Sequence, residues 1–216
     1  MPDELSLIKA AIECYLNTQS LHKEARLLAR HGYGPRAAAL AVIGVEEFAK
    51  SIAYALAALS PEKRDLLGKG LSDHETKHLV AAAAEAAEIE THDYRVVIAQ
   101  ESGWPLSHRD ALVVLFQQMV GYDLENLVRN PKEAKEFYRR LGKDLHAILP
   151  DPYLKNAALY VDLDNSGDVL IPARIEHQVE SAIRGLEWFL RVYCALPEVL
   201  QNQEEWNDFR LRIMDH

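Results

Sequence analysis

Ala37-Ala-Ala-Leu-Ala-Val-Ile-Gly-Val-Glu46-Glu47-Phe-Ala-Lys50-Ser-Ile-Ala-Tyr-Ala-Leu-Ala-Ala-Leu59 decides how this chain folds. From Ala37 to Pro61 the only charged residues are Glu46, Glu47 and Lys50. A helix that is apolar on every side is a buried helix, so the stretch predicts the central helix of an all-α bundle. It is long enough to span a membrane, but three charges at its centre argue against that. Buried carboxylates and ammonium groups are costly unless they are paired or put to use. They need a partner, and the best candidate in the chain is Asp73-His74-Glu75-Thr76-Lys77-His78.

Outward from this stretch the pattern is helix after helix. A first helix is expected from Asp3 to Arg30, with Leu5, Ile8, Ile12, Tyr15 and Leu16 at helical spacing. His31-Gly32-Tyr33-Gly34 breaks it, and Pro35 suits the first turn of the next, which stops before Ser60-Pro61. Ser72 and Glu75 form a capping box that opens a third helix running to about Gln100. Ser107 caps a fourth helix of roughly two dozen residues, and Asn130-Pro131 starts a fifth that ends at Pro150. Leu159 to Ile171 holds two short apolar runs around Asn165-Ser166-Gly167, the signature of a β-hairpin. Pro172 opens a helix through Leu196, and one polar tail helix follows Pro197.

The chain has 216 residues and a net charge of −9. That length suits one well-buried core, and no repeat or composition shift marks a boundary, so residues 1–216 are expected to form a single domain. The acidic balance argues against a broad phosphate-binding surface, though a local basic cleft stays open. Cys14 and Cys194 make neither a zinc signature nor a disulfide framework and fit a reducing cytoplasm. Met1 to Ala10 lacks a basic stretch followed by an apolar run, which predicts no signal peptide.

Three constellations can carry chemistry. His74 and His78 are four apart and stack on one helix face. Glu46 and Glu47 diverge by about 100° around their helix, so only one can point straight at that pair. If the second and third helices pack antiparallel, Glu46, Glu47, Lys50, His74, Lys77 and His78 come within reach of one another. This set can be a buried ion-pair network pinning two helices. Alternatively, Glu46, Glu47, His74 and His78 can be the start of a carboxylate–histidine metal site, although the second Glu-x-x-His motif of a di-iron bundle is absent.

The second constellation is Arg140-Leu-Gly-Lys143-Asp-Leu-His146. A guanidinium can steady a phosphate while an imidazole moves the 2′-hydroxyl proton. With 24 basic residues and nine histidines, such spacing also arises on a solvated helix face. The third, Asp162 to Asp168, has oxygens at alternate positions like a calcium loop, but its twelfth position is Ala173 in place of Glu, which favours a plain hairpin turn. The tail from Gln201 is an amphipathic packing or dimer-contact helix. Phosphate-loop, serine-elbow and dinucleotide fingerprints are absent.

Three segments taken together carry a resemblance. They are Arg36-Ala-Ala-Ala-Leu-Ala-Val-Ile-Gly-Val-Glu46-Glu47-Phe-Ala-Lys50, then Asp73-His74-Glu-Thr-Lys77, and then Ala158-Leu-Tyr160-Val-Asp162 followed by Pro172. In order and content they resemble the AbiV-type abortive-infection proteins of the HEPN superfamily, in outline from Leu16 to Leu190. The first looks like that family's Glu-Glu-x-x-Lys helix, the second its His-x-x-Lys, and the third its hairpin, with Tyr160 and Asp162 at the motif positions.

The resemblance implies an up-and-down helical bundle, often a homodimer, that defends bacteria against phage. It implies an effector that arrests translation after contact with a phage protein. The wider superfamily adds metal-independent RNA cleavage, for which Arg140, Lys143 and His146 are the candidate residues and no cofactor is needed. The expectation is therefore a cytoplasmic, non-membrane anti-phage effector with RNA as a candidate substrate. Two alternatives stand beside it, a metal-binding bundle enzyme built on Glu46/Glu47 with His74/His78, and a non-enzymatic regulatory binding protein.

Overall fold

A computed structural model describes residues 2–60, 71, 74–102, 106–141, 162–163, 169–170 and 176–214. These residues fold as an all-α bundle with one short strand pair. Helix α1 spans Glu4–Arg30, and its first turn is capped by Asp3, which accepts a hydrogen bond from the Ser6 amide at 2.7 Å. Leu7, Ile8, Ala11, Tyr15, Thr18 and Ala25 line its inner face at helical spacing. Gly32 takes φ of +80°, a left-handed conformation that costs glycine little, and turns the chain back. Helix α2, Gly34–Leu59, follows with Pro35 in its first turn.

Helix α2 is the axis of the bundle and packs against α1, against α3 (His74–Ser102) and against α7 (Glu176–Val192). Its alanines and Gly44 carry so little side chain that neighbours approach closely on every side. A Cβ placed on Gly44 would stand 2.5 Å from Leu186 Cδ2 of α7. Ser51 Oγ donates to the Ala11 carbonyl at 2.8 Å, and so ties α2 to α1 across a buried seam. Tyr15 Oη donates to the Leu190 carbonyl at 3.1 Å, joining α1 to α7.

Large side chains pack beside the middle of α2. Phe48 stacks on Phe189 with centroids 4.6 Å apart and meets Tyr193 edge-on at 5.1 Å. Tyr193 Oη donates to the Ala84 carbonyl of α3 at 2.7 Å. Each such ring or leucine removed from water contributes roughly 1.5–3 kcal/mol. The alanines contribute less area and act by letting the helices close up. Among the described residues one cluster of buried side chains joins every part of the bundle from Leu7 in α1 to Ile213 near the C-terminus.

The expected fourth helix is two helices, α4 (His108–Gly121) and α5 (Leu124–Arg129). Asp123 breaks it by accepting from the Asn126 amide at 3.2 Å and capping a new start. Helix α6, Pro131–Leu141, is the described part of the expected fifth helix, and residues 142–150 lie outside the described residues. Strands β1 (Asp162–Leu163) and β2 (Val169–Leu170) pair antiparallel, with Asp162 opposite Leu170 and Leu163 opposite Val169. The turn between them, on which the calcium-loop comparison rests, lies outside the described residues, as do Ser72 and the side chain of Glu75.

The expected tail helix is also split, into α8 (Leu196–Gln201) and α9 (Gln203–Met214). Asn202 Oδ1 accepts from the amides of Glu204 and Glu205 at 3.0 and 3.3 Å, an N-cap the polar tail concealed. Trp206 Nε1 donates to Glu4 Oε1 at 2.8 Å and brings α9 back to the start of α1. No helix among the described residues is long and apolar enough to cross a membrane.

Candidate functional site

The site is built where the middle of α2 faces the first turn and a half of α3. Glu46 is nearly enclosed, with its side chain 7 % exposed. Around its carboxylate stand His74 Nδ1 at 3.0 Å from Oε2, Lys77 Nζ at 3.6 Å from Oε2, and His78 Nε2 at 3.8 Å from Oε1. His74, Lys77 and His78 share one α3 face because three and four residues make about one turn. One buried anion is thus met by three basic side chains, which offsets the cost of taking it out of water.

The three partners differ in exposure. Lys77 and His78 are buried with the carboxylate, whereas the His74 ring is 59 % exposed. A carboxylate accepting from Nδ1–H holds an imidazole in the tautomer whose lone pair is on Nε2, and it stabilises the imidazolium that forms on proton uptake. The geometry therefore suits proton transfer at a surface-accessible ring backed by an inner carboxylate, with the Lys77 cation alongside.

Glu47 goes elsewhere. One residue further round α2, it turns toward α1 and pairs with Lys50. Burial works against the Lys50 ammonium, but the hydrogen bond and charge of Glu47 outweigh it and hold its pKa above the ordinary lysine value. Cys14 of α1 lies beside this pair. Burial first and the Glu47 charge second push its thiol up to about 11. The six motif residues form two clusters, Glu46 with His74, Lys77 and His78 and Glu47 with Lys50, where a single cluster was conceivable. Of the metal set of Glu46, Glu47, His74 and His78, Glu46 meets the two histidines whereas Glu47 pairs with Lys50. Among the described residues no group of three or more His, Cys, Asp or Glu is arranged to hold a metal ion.

Arg140 belongs to α6 by its backbone, and its side chain lies outside the described residues. Lys143, His146 and Tyr160 lie outside them entirely, and Asp162 is placed only by its backbone in β1. One buried group escaped the sequence argument. Glu85 sits in the alanine run of α3, fully buried, and neither carboxylate oxygen has a hydrogen-bond partner among the described residues. Burial pushes it up to about 8, so it holds its proton at neutral pH. Seven residues after His78, it lies on the same α3 face. A lone acid inside Ala81–Ala87 was the available signal.

A family model, HEPN_AbiV, described as AbiV, matches residues 6–183. That span holds Glu46, Glu47, Lys50, His74, Lys77 and His78, Arg140 to His146, and the β1–β2 pair. Comparison with curated proteins and with solved structures gave no match. With the two polar motifs on adjoining helices and most of its length matched, the chain belongs to the AbiV family of abortive-infection HEPN proteins.

Proposed function

We propose that this chain is an effector of anti-phage defence that arrests translation in the bacterial cytoplasm, acts as a homodimer and is triggered by a phage protein. The observation that carries the reading is the Glu46–His74 pair, an exposed imidazole held by an inner carboxylate in an AbiV-family bundle. RNA is the substrate class that suits it. Cleavage without metal needs a base to take the 2′-hydroxyl proton, a cation beside the phosphate, and an acid to protonate the departing 5′-oxygen. His74 is the proton carrier of this account, Glu46 its positioning residue and Lys77 the neighbouring cation.

The spacing of Arg140, Lys143 and His146 along the chain supports a second arrangement for the same reaction. There the Arg140 guanidinium and Lys143 steady the phosphate and His146 moves the proton. The Glu46 cluster then serves to pin α2 to α3.

The experiment is incubation of the purified full chain with total RNA and tRNA in excess chelator, beside His74→Ala and His146→Ala. Cleavage that survives chelation and is lost in folded His74→Ala supports the first arrangement. Loss only in His146→Ala moves the chemistry to the second. Intact RNA from well-folded protein overturns cleavage and leaves a block of translation by binding.

A further inference from the structure

Helices α4, α8 and α9 leave a cleft of about 240 Å³ between them. Its floor is apolar, with Val113 from α4, Val199 from α8 and Phe209 from α9. Pockets that take a whole drug-sized ligand run to about 300–1,000 Å³. This one has room for a single long side chain.

The rim is charged, and its charges do not balance. The Arg109 guanidinium lies 2.7 Å from Glu198 and 2.9 Å from Glu205, and that of Arg212 lies 2.7 Å from Asp110 and 3.9 Å from Asp208. Glu204 also lines the cleft, and its carboxylate has no partner among the described residues. Five carboxylates around two guanidiniums leave three negative charges uncompensated, with both arginines already counted.

The shortage of donors shows at one atom. Glu205 Oε1 takes Arg109 at 2.9 Å and the Asn202 side-chain amide at 3.3 Å. Its other oxygen, Oε2, is shut off from water and has no hydrogen-bond partner among the described residues. A carboxylate oxygen left so is costly. A small turn of this partly exposed side chain presents Oε2 to a donor in the cleft. Beyond the rim, Leu211 is 59 % exposed and follows Asp208 by three residues and Glu204 by seven, so the same side of α9 carries an apolar contact next to the acids. Both α8 and α9 lie outside the family match at residues 6–183.

We infer that this cleft is the docking site for a basic side chain of the activating protein, an arginine above all, with an apolar neighbour seated on Leu211. The arginine stem lies on Val113, Val199 and Phe209 while its planar fork meets Glu204, Asp208 and Glu205. RNA is the wrong occupant, because its phosphates would meet surplus negative charge. The inference rests on the proposed triggering by a phage protein and specifies where that protein binds. Placing the cleft on helices outside the family's common span suits a trigger particular to this chain.

Titration of the full chain with an end-blocked Arg-Leu dipeptide, followed by the NMR signals of valine methyl groups, tests the site. The Val113 and Val199 methyls should shift saturably, while Val42 and Val45 on the bundle axis stay put. An end-blocked Glu-Leu dipeptide should shift none of them. Glu204→Lys should weaken the Arg-Leu dipeptide about tenfold or more, with an unchanged melting temperature because Glu204 is exposed and unpaired. Amino-acid incorporation in phage-challenged bacteria tests the partner, and it should collapse with the parent chain and continue with Glu204→Lys. Absent shifts at Val113 and Val199, or equal shifts from the acidic dipeptide, overturn the cleft even where the parent chain arrests translation. Arrest by Glu204→Lys equal to the parent's overturns docking of the trigger there. Incorporation that continues with the parent chain overturns the proposed function itself.

Discussion

Nδ1 of His74, at the start of α3, lies 3.0 Å from Oε2 of Glu46 in the middle of α2, and this contact joins the two polar motifs of the chain. One partner is buried and the other is in reach of solvent, so the two should respond differently to removal. Glu46→Ala strips the counter-charge from the buried Lys77 ammonium and removes the carboxylate beside buried His78, and is expected to cost ~3–5 kcal/mol. His74→Ala loses an exposed pair and should cost less than ~1 kcal/mol. Urea unfolding of the two variants checks this. Equal losses would mean that His74 is as structural as Glu46.

Glu85 predicts a pH dependence. Its folded pKa is raised to about 8 from the ordinary 4.5, so the native state keeps a proton that the unfolded chain gives up. The contribution is fully present below pH 4.5, declines as pH rises, and is gone above about 8. Between those values the slope is about 1.4 kcal/mol per pH unit. Glu85→Gln should remove that slope and be more stable than the parent chain at pH 9. Parallel stability profiles for the two proteins between pH 5 and 9 would contradict it.

At Gly44 the backbone of α2 lies directly against the fully buried Leu186 of α7. Alanine in place of a helical glycine stabilises by about 0.5–1 kcal/mol, whereas overpacking a core costs about 1–3 kcal/mol. With a Cβ 2.5 Å from Leu186 Cδ2, overpacking wins and Gly44→Ala should destabilise. Combined with Leu186→Ala, the added methyl fills space that the leucine vacates. The double variant should then lose less than the two single losses together, a coupling that a double-mutant cycle measures.

The two thiols should separate by reactivity. Burial and the Glu47 charge push Cys14 up to about 11, while Cys194 is exposed. At pH 8 a thiol reagent should label Cys194 promptly and Cys14 only slowly, because the thiolate is the reacting form. Two equally fast equivalents would show that the seam between α1 and α2 opens readily.

The buried axis of the bundle was legible because α2 is apolar all round, and its three charges announced that a partner had to exist. The 100° step between Glu46 and Glu47 showed that the two could not share that partner. Which of them turned to His74 depends on the rotation of α2 against α3, and that is set by packing no local pattern records. The breaks at Asp123 and Asn202 were missed for a related reason, since the apolar periodicity runs on past each cap, even though Gly121 stands just before the first. Glu85 was missed although the argument applied to Glu46 fits it equally, because a single acid in an alanine run offers no motif. The close approach of Leu186 to Gly44 spans more than a hundred residues and has no sequence signature.

Protein synthesis itself is the most direct test. Labelled amino-acid incorporation is followed in bacteria producing the full chain or His74→Ala at equal levels, with and without phage challenge. The account predicts that incorporation collapses with the parent chain and continues with His74→Ala. Incorporation that continues with the parent chain under both conditions would contradict it.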